Sequence, residues 1–168
     1  KGVYELGSVF KTFTVAAGLE NGLVETDTKF LNLEKKLKCG KNIISEYDKK
    51  IPSDLTVEEI LIRSGNIGSV RIGQKLEIGK LKLFLEKIGI LKKINFDIEE
   101  VGEPIPFRWG KCKLATVSFG HGITTTPLQL AKGYAIITNG GFQVKPSLIK
   151  KNLENHQNQE RIIKKGVS

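Results

Sequence analysis

The stretch "YELGSVFKTFTVAAGLENG", residues 4–22, decides how the rest of the chain is interpreted. It places a lysine, Lys11, deep inside a mostly apolar run. The spacing predicts a helix over residues 8–21, because the Asn-Gly pair at its end tolerates the left-handed conformation that terminates helices. A lysine inside a helix suited to burial is unusual and indicates a role beyond packing.

Ser8 precedes Lys11 by three residues, which puts the two side chains on one helical face. A serine becomes a good nucleophile when a neighbouring base removes its proton. A lysine amine can be that base when it is neutral, and burial among Val9, Phe10 and Phe13 would favour the neutral form. Ser8 and Lys11 are therefore candidates for nucleophile and general base.

The spacing alone does not make this case, because the same chain contains a second match. "SLIK", residues 147–150, has the same spacing, but it lies in a segment that alternates like a strand. Its serine and lysine would point to opposite faces of that strand. A chance match is also the alternative for Ser8 and Lys11, and the apolar helical context favours the chemical interpretation.

A second candidate motif is "SGN", residues 64–66, in a tight loop between two predicted helices. The Ser64 hydroxyl could relay a proton, and the Asn66 amide could hold a carbonyl or amide of a substrate. The alternative is a helix break with polar caps. Together with the first pair, the functional interpretation is favoured.

The remaining segments predict mixed α and β structure. A helical subdomain is expected at about residues 53–100, and "TPLQLAKGYAIITN" predicts a helix at about residues 126–139 that is capped by Thr126. "FQVKPSLIK" and "RIIKK" are expected to form short strands. The residues expected to face inward from the "TPLQLA" helix are Leu128, Ala131, Ala135 and Ile136.

Charge and composition exclude several classes of protein. The net charge is +9, but the lysines occur in scattered pairs and form no basic stripe interleaved with aromatic residues, so no nucleic acid is predicted as a partner. No apolar run has the length that crosses a membrane. Cys39 and Cys112 are far apart and only two histidines are present, so neither a metal site nor a disulfide framework is indicated. One bridge stays possible, and two free, partly buried thiols are favoured.

Three blocks together resemble a known family: residues 4–22, "RSGNIGSVRIGQKL" (63–76) and "ATVSFGHGITTTPLQLAKGYAIITNGG" (115–141). They are similar to the transpeptidase domain of monofunctional, class B penicillin-binding proteins of the division type, over about residues 2–149. The resemblance implies an α+β, β-lactamase/transpeptidase-like fold. The chain would be an incomplete and mainly helical portion of it that lacks much of the central antiparallel sheet.

The resemblance also implies roles for the candidate residues. Ser8 would be the acylated nucleophile, Lys11 its general base and Ser64 a proton shuttle, while Asn66 would hold the backbone of the donor stem peptide. The reaction would be D-Ala-D-Ala transpeptidation, and β-lactams would acylate the same serine. No cofactor is implied, and His121 stays outside the catalytic set.

The implied partners are peptidoglycan stem peptides from lipid II-derived strands, β-lactams, and divisome proteins in the full-length protein. The implied location is the periplasmic face of the bacterial inner membrane, through an N-terminal anchor absent from this chain. The alternative is a degenerate, non-catalytic module that binds divisome partners or peptidoglycan.

One motif of the family is missing, since the sequence contains no Lys-Thr-Gly or Lys-Ser-Gly. In the family this motif lies several tens of residues after the "TPLQLA" helix, on an edge strand that supplies the second oxyanion donor. The resemblance therefore implies an internal fragment of a larger protein. We expect the chain alone to be inactive or nearly so, because losing an oxyanion donor costs about a hundredfold or more in rate.

Overall fold

The computed structural model describes residues 2–98, 102–149 and 160–164. A short 3₁₀ helix, Gly7–Phe10, leads into the first α-helix. The α-helices of the described residues are α1 (Lys11–Glu20), α2 (Val57–Ile62), α3 (Asn66–Lys87), α4 (Lys111–Val117) and α5 (Pro127–Thr138). The strands are β1 (Tyr4–Glu5), β2 (Lys29–Phe30), β3 (Lys36–Cys39), β4 (Asn42–Ser45), β5 (Leu55–Thr56) and β6 (Thr124–Thr125).

The strands of the described residues form three antiparallel pairs, β1 with β6, β2 with β5 and β3 with β4. Each pair is short, and β3 and β4 make a hairpin. The helices carry most of the core, which confirms a mainly helical portion of an α+β fold. No helix in the described ranges combines the length and apolar character of a membrane span.

Helix α1 lies at the centre of the core. It packs against α3, which in turn packs against α4. Phe13 is fully buried and meets Tyr134 of α5 edge-on, with ring centroids 5.1 Å apart. The Thr14 hydroxyl donates to the Ser118 carbonyl at the end of α4, at 2.9 Å. The predicted buried helix is therefore enclosed by three other helices, so its few polar groups need partners inside the protein.

The two helices predicted in "IGSVRIGQKL" and "GKLKLFLEKIGI" both lie along α3. They meet at Glu77, whose φ of 59° and ψ of 171° interrupt the helical backbone. Helix α4 was not predicted, because "KCKLATV" contains Cys, Thr and Val, which are poor helix formers. Tertiary packing against α3 stabilises it.

Helix α5 begins as predicted, with the Thr126 hydroxyl accepting from the backbone N–H of Gln129 at 3.1 Å. The predicted inward face is wrong in part, since Ala131 is exposed. The Gln129 amide is buried and donates to the Gly89 and Ile90 carbonyls at 3.2 and 3.4 Å, which fixes the rotation of the helix. The buried residues of α5 are Gln129, Gly133, Ile136 and Ile137.

The predicted strands near the end of the chain are wrong in extent. The two segments meet in one isolated antiparallel bridge, Phe142 with Arg161. Pro146 has no N–H to donate, which limits a longer ladder. Lys150 and Lys165, the last residues of the two predicted strands, lie outside the described residues.

Candidate active site

Ser8 lies in the 3₁₀ turn before α1, and its side chain is exposed. The turn is held by the loop after α4, since the Gly7 N–H donates to the Gly120 carbonyl at 3.0 Å. Gly120 has a φ of +90°, and a Cβ there would lie 1.8 Å from the Gly7 oxygen. This close approach therefore requires glycine at position 120, which explains one residue of the "FGHG" sequence.

Helix α5 holds the same turn from the other side. The Tyr134 hydroxyl donates to the Val9 carbonyl at 2.7 Å and lies 3.1 Å from the Thr12 hydroxyl. Tyr134 was missed by sequence reasoning, because an aromatic residue on an apolar helix is usually a packing residue. Val9 itself is 47 % exposed, whereas Phe10 and Phe13 are fully buried.

Lys11, the first residue of α1, is buried, with 1 % of its surface exposed. Its Nζ donates to the Ser64 carbonyl at 2.5 Å and lies 2.9 Å from the Ser64 hydroxyl. The structure thus brings Lys11 and Ser64 together across 53 positions of sequence. Among the described contacts, no hydrogen bond joins Lys11 Nζ to the Ser8 hydroxyl.

Burial governs the charge of this amine. Desolvation lowers the pKa of Lys11 from 10.5 to about 8, and the Glu46 carboxylate opposes this effect by raising the pKa. At pH 7 about a tenth of the amine is therefore neutral and able to accept a proton. A surface lysine would be almost entirely an ammonium ion at that pH.

Ser64 has a left-handed backbone, with a φ of 54°. Its N–H donates to the Leu61 carbonyl at 3.1 Å, and the Gly65 N–H donates to the Ile60 carbonyl at 2.8 Å. These two bonds form a Schellman motif that ends α2 at Arg63, and the left-handed position of that motif is usually glycine. A serine there is strained, which indicates that its side chain matters more than local stability.

This strain leads to a test on stability alone. We expect Ser64→Gly to be about 1 kcal/mol more stable than Ser64→Ala, because both remove the hydroxyl and only glycine relieves the left-handed backbone. Chemical denaturation of the two variants measures the difference. Equal stabilities would contradict the strain at Ser64.

Asn66 begins α3, and its side-chain Nδ2 donates to the Ser45 carbonyl at 2.8 Å. Beside it, Glu46 accepts from two backbone N–H groups, Asn66 at 2.7 Å and Ile67 at 2.8 Å. Sequence reasoning missed Glu46 because it lies in a polar connecting region without a motif. Its role depends on tertiary contacts about 20 positions away along the chain.

The expectation of free thiols is wrong, since Cys39 and Cys112 form a disulfide with a Cα–Cα distance of 5.4 Å. Cys39 ends β3 and Cys112 lies in the first turn of α4. The β3–β4 hairpin packs beside α4 and brings the two residues into bonding range. In the described ranges no cluster of His, Cys, Asp or Glu could hold a metal ion.

The site therefore has a buried amine bonded to a strained serine, Ser64, and an exposed serine, Ser8, three positions before that lysine. Compared with known families, residues 1–168 match the family "Penicillin binding protein transpeptidase domain". The chain belongs to this family. The match covers the whole chain, including the segments in which no motif was found.

Curated relatives of this transpeptidase domain include two that are named for the reaction. The "Probable peptidoglycan D,D-transpeptidase FtsI" of Caulobacter vibrioides is 32% identical over 150 residues, which cover 89% of this chain and 25% of that protein. The "Peptidoglycan D,D-transpeptidase FtsI" of Escherichia coli K12 is 31% identical over 147 residues, which cover 83% of this chain and 24% of that protein. The chain thus spans about a quarter of the length of these relatives.

Two solved structures of bacterial proteins show the same fold. The transpeptidase domain of penicillin-binding protein 3 from Burkholderia pseudomallei superposes with a TM-score of 0.89 at 22% identity, covering 99% of this chain and 51% of that one. A peptidoglycan glycosyltransferase from Burkholderia ambifaria superposes with a TM-score of 0.90 at 20% identity. The match covers 99% of this chain and 53% of that one. At these identities the likeness concerns the fold alone.

Proposed function

We propose that this chain carries the nucleophile and general base of a peptidoglycan D,D-transpeptidase that cross-links stem peptides in septal cell-wall synthesis. The observation that supports this most is the buried Lys11 amine, whose pKa is lowered to about 8 and which is bonded to Ser64. An amine in this state can accept a proton at neutral pH. The relatives named as D,D-transpeptidases support the choice of substrate.

In the proposed reaction, Ser8 Oγ forms a bond to the carbonyl carbon of the penultimate D-Ala, and Lys11 takes the hydroxyl proton. The peptide bond to the terminal D-Ala breaks, and the proton passes through the Ser64 hydroxyl to the nitrogen of the departing D-Ala. An amine of a neighbouring strand then attacks the ester carbon and releases Ser8, which regains its proton. Acylation and deacylation each conserve atoms and protons, and neither step uses a cofactor.

Asn66 would hold the donor peptide. One N–H of its amide donates to the Ser45 carbonyl, which fixes the side chain. Within the described part of the chain, its carbonyl oxygen and second N–H have no other hydrogen-bond partner, so both could bind the backbone of a peptide. The Ser8 backbone N–H would donate to the oxyanion that forms at the attacked carbon.

The same chemistry makes β-lactams substrates that acylate Ser8. We also propose that the full-length protein works at the periplasmic face of the inner membrane, where it meets peptidoglycan and divisome proteins. The Cys39–Cys112 disulfide supports an oxidising compartment, because such bonds are rare in the reducing cytosol.

The test is acylation of the full-length protein by a fluorescent penicillin, with the labelled peptide identified by mass spectrometry. We expect stoichiometric label on Ser8, none in Ser8→Ala, and unchanged labelling in Ser147→Ala, which removes the serine of "SLIK". The 168-residue chain alone should label about a hundredfold more slowly or not at all, since it contains no Lys-Thr-Gly.

Label that persists in Ser8→Ala would contradict the proposed nucleophile. A full-length protein that binds peptidoglycan but takes no label at any serine would instead favour the non-catalytic module. Release of D-Ala, followed by cross-linking of stem peptides, distinguishes the transpeptidase from a protein that only reacts with penicillin.

A further inference from the structure

Glu46 stands directly after β4 and reaches the start of α3 with both carboxylate oxygens. Its Oε2 accepts from the Asn66 N–H at 2.7 Å, and its Oε1 accepts from the Ile67 N–H at 2.8 Å. The first N–H groups of a helix have no partner inside the helix, and a carboxylate there is favoured by the helix dipole. The residue at the N-cap of α3 is Gly65, which has no side chain to do this.

The carboxylate therefore comes from a distant element rather than from the cap position. The backbone N–H of Glu46 donates to the Lys35 carbonyl at 3.3 Å. The carbonyl of the preceding residue, Ser45, accepts from the Asn66 side chain at 2.8 Å. The end of β4 thus holds Asn66 by both its backbone and its side chain. This contact fixes the short turn, residues 64–66, that carries both polar groups of the second motif.

The Glu46 carboxylate also raises the pKa of the Lys11 amine. The turn of residues 64–66 presents only uncharged oxygens to the amine, both of them from Ser64. Glu46 is the charged group that opposes the effect of burial on Lys11, and it does so from a different element. Glu46 is therefore linked to two of the four predicted site residues, Asn66 by a hydrogen bond and Lys11 by its charge.

We infer that Glu46 is a positioning residue of the acyl-transfer site, which holds Ser64 and Asn66 in place and balances the charge of the Lys11 amine. This inference rests on the proposed function of Ser8 and Lys11. A helix cap alone would require only the two backbone contacts. The turn next to these two contacts also carries both Ser64 oxygens that accept from Lys11 Nζ, and a cap of α3 alone does not need that arrangement.

The chain offers a matched control for this distinction. Glu59 also accepts a backbone N–H at a helix start, from Thr56 at 2.8 Å, within the capping box of α2. The carboxylate that raises the pKa of Lys11 is that of Glu46, not that of Glu59. Glu59→Gln therefore makes the same chemical change at a cap that is not linked to the amine.

The experiment compares Glu46→Gln, Glu46→Asp and Glu59→Gln in the full-length protein. The first readout is the rate of acylation by a fluorescent penicillin as a function of pH. We expect Glu46→Gln to shift the acid limb of this profile to lower pH, because the charge that raises the pKa of Lys11 is gone. Its plateau rate should fall about tenfold, because a charged hydrogen bond to the start of α3 becomes a neutral one.

Glu46→Asp keeps the charge, so its limb should stay at the wild-type pH, and Glu59→Gln should leave both limb and plateau unchanged. The second readout is the titration of the Lys11 amine by NMR, which does not depend on activity. It should move to lower pH in Glu46→Gln only.

An unmoved Lys11 titration in Glu46→Gln, or a fall in rate with an unmoved acid limb, would overturn the inference and leave Glu46 as a helix cap. Absence of label on Ser8 in the wild-type protein would instead overturn the proposed function. In that case the NMR titration still decides whether Glu46 controls the charge of Lys11.

Discussion

Replacing Lys11 with methionine is expected to slow acylation of Ser8 about a thousandfold, because a positioned general base contributes between about a hundredfold and ten-thousandfold. In the wild-type protein the rate should rise with pH and level off above about pH 8, where the amine is neutral. The variant has no amine to titrate, so its residual rate should lack this limb. The measurement is the rate of labelling by a fluorescent penicillin between pH 6 and about pH 10.

A matched control exists in α5. Burial also lowers the pKa of Lys132, but this lysine has no contact with Ser64 among the described interactions. Lys132→Met therefore removes a desolvated lysine outside the site, and we expect it to acylate at the wild-type rate with the wild-type pH profile. An equal loss in both variants would show that the effect of Lys11→Met is structural.

Although Lys11→Met is expected to slow acylation, it should increase the free energy of unfolding. Burying an ammonium ion costs free energy, so Lys11→Met is expected to be more stable than wild type at pH 7, by about 1 kcal/mol. The pKa of Lys11 is about 8 in the folded state and 10.5 when the residue is exposed. Between these values the unfolded chain binds more protons, so wild-type stability rises with pH and the difference between the two proteins should shrink.

The local parts of the candidate site were accessible from sequence. Ser8 and Lys11 are three positions apart, and the residues of "SGN" share one turn, so short-range rules identify each pair as candidates. The bond from Lys11 to Ser64 spans 53 positions and requires α1 to pack beside the end of α2. No spacing rule contains that information, and only the family resemblance implied it.

The parts that sequence reasoning missed have a common physical cause. Glu46, Tyr134 and the disulfide acquire their roles from contacts between elements far apart in sequence. The rotation of α5 was misjudged for a similar reason, since the buried Gln129 finds its partners in the loop after α3. A polar residue on a helix is normally assigned to the solvent face, and only the tertiary partners reverse that assignment.

The second large effect is expected from the disulfide. The bond between Cys39 and Cys112 closes a loop of 73 residues, which contains α2 and α3. A cross-link over a loop of this length reduces the entropy of the unfolded chain enough to stabilise the folded state by about 4 kcal/mol. We therefore expect Cys39→Ser/Cys112→Ser to lose about that much free energy of unfolding.

Equilibrium denaturation checks this value, and the reduced wild-type protein is the natural comparison. Reduction removes the bond without a substitution, so the reduced protein and the double variant should unfold at similar denaturant concentrations. A double variant as stable as the oxidised protein, or two thiols that react with a thiol reagent in the untreated protein, would contradict the bond.

The hairpin that carries Cys39 continues into Glu46, so loss of the bond should also loosen the contacts of Glu46 with α3. Faster hydrogen exchange at the backbone N–H groups of Asn66 and Ile67 would report this loosening.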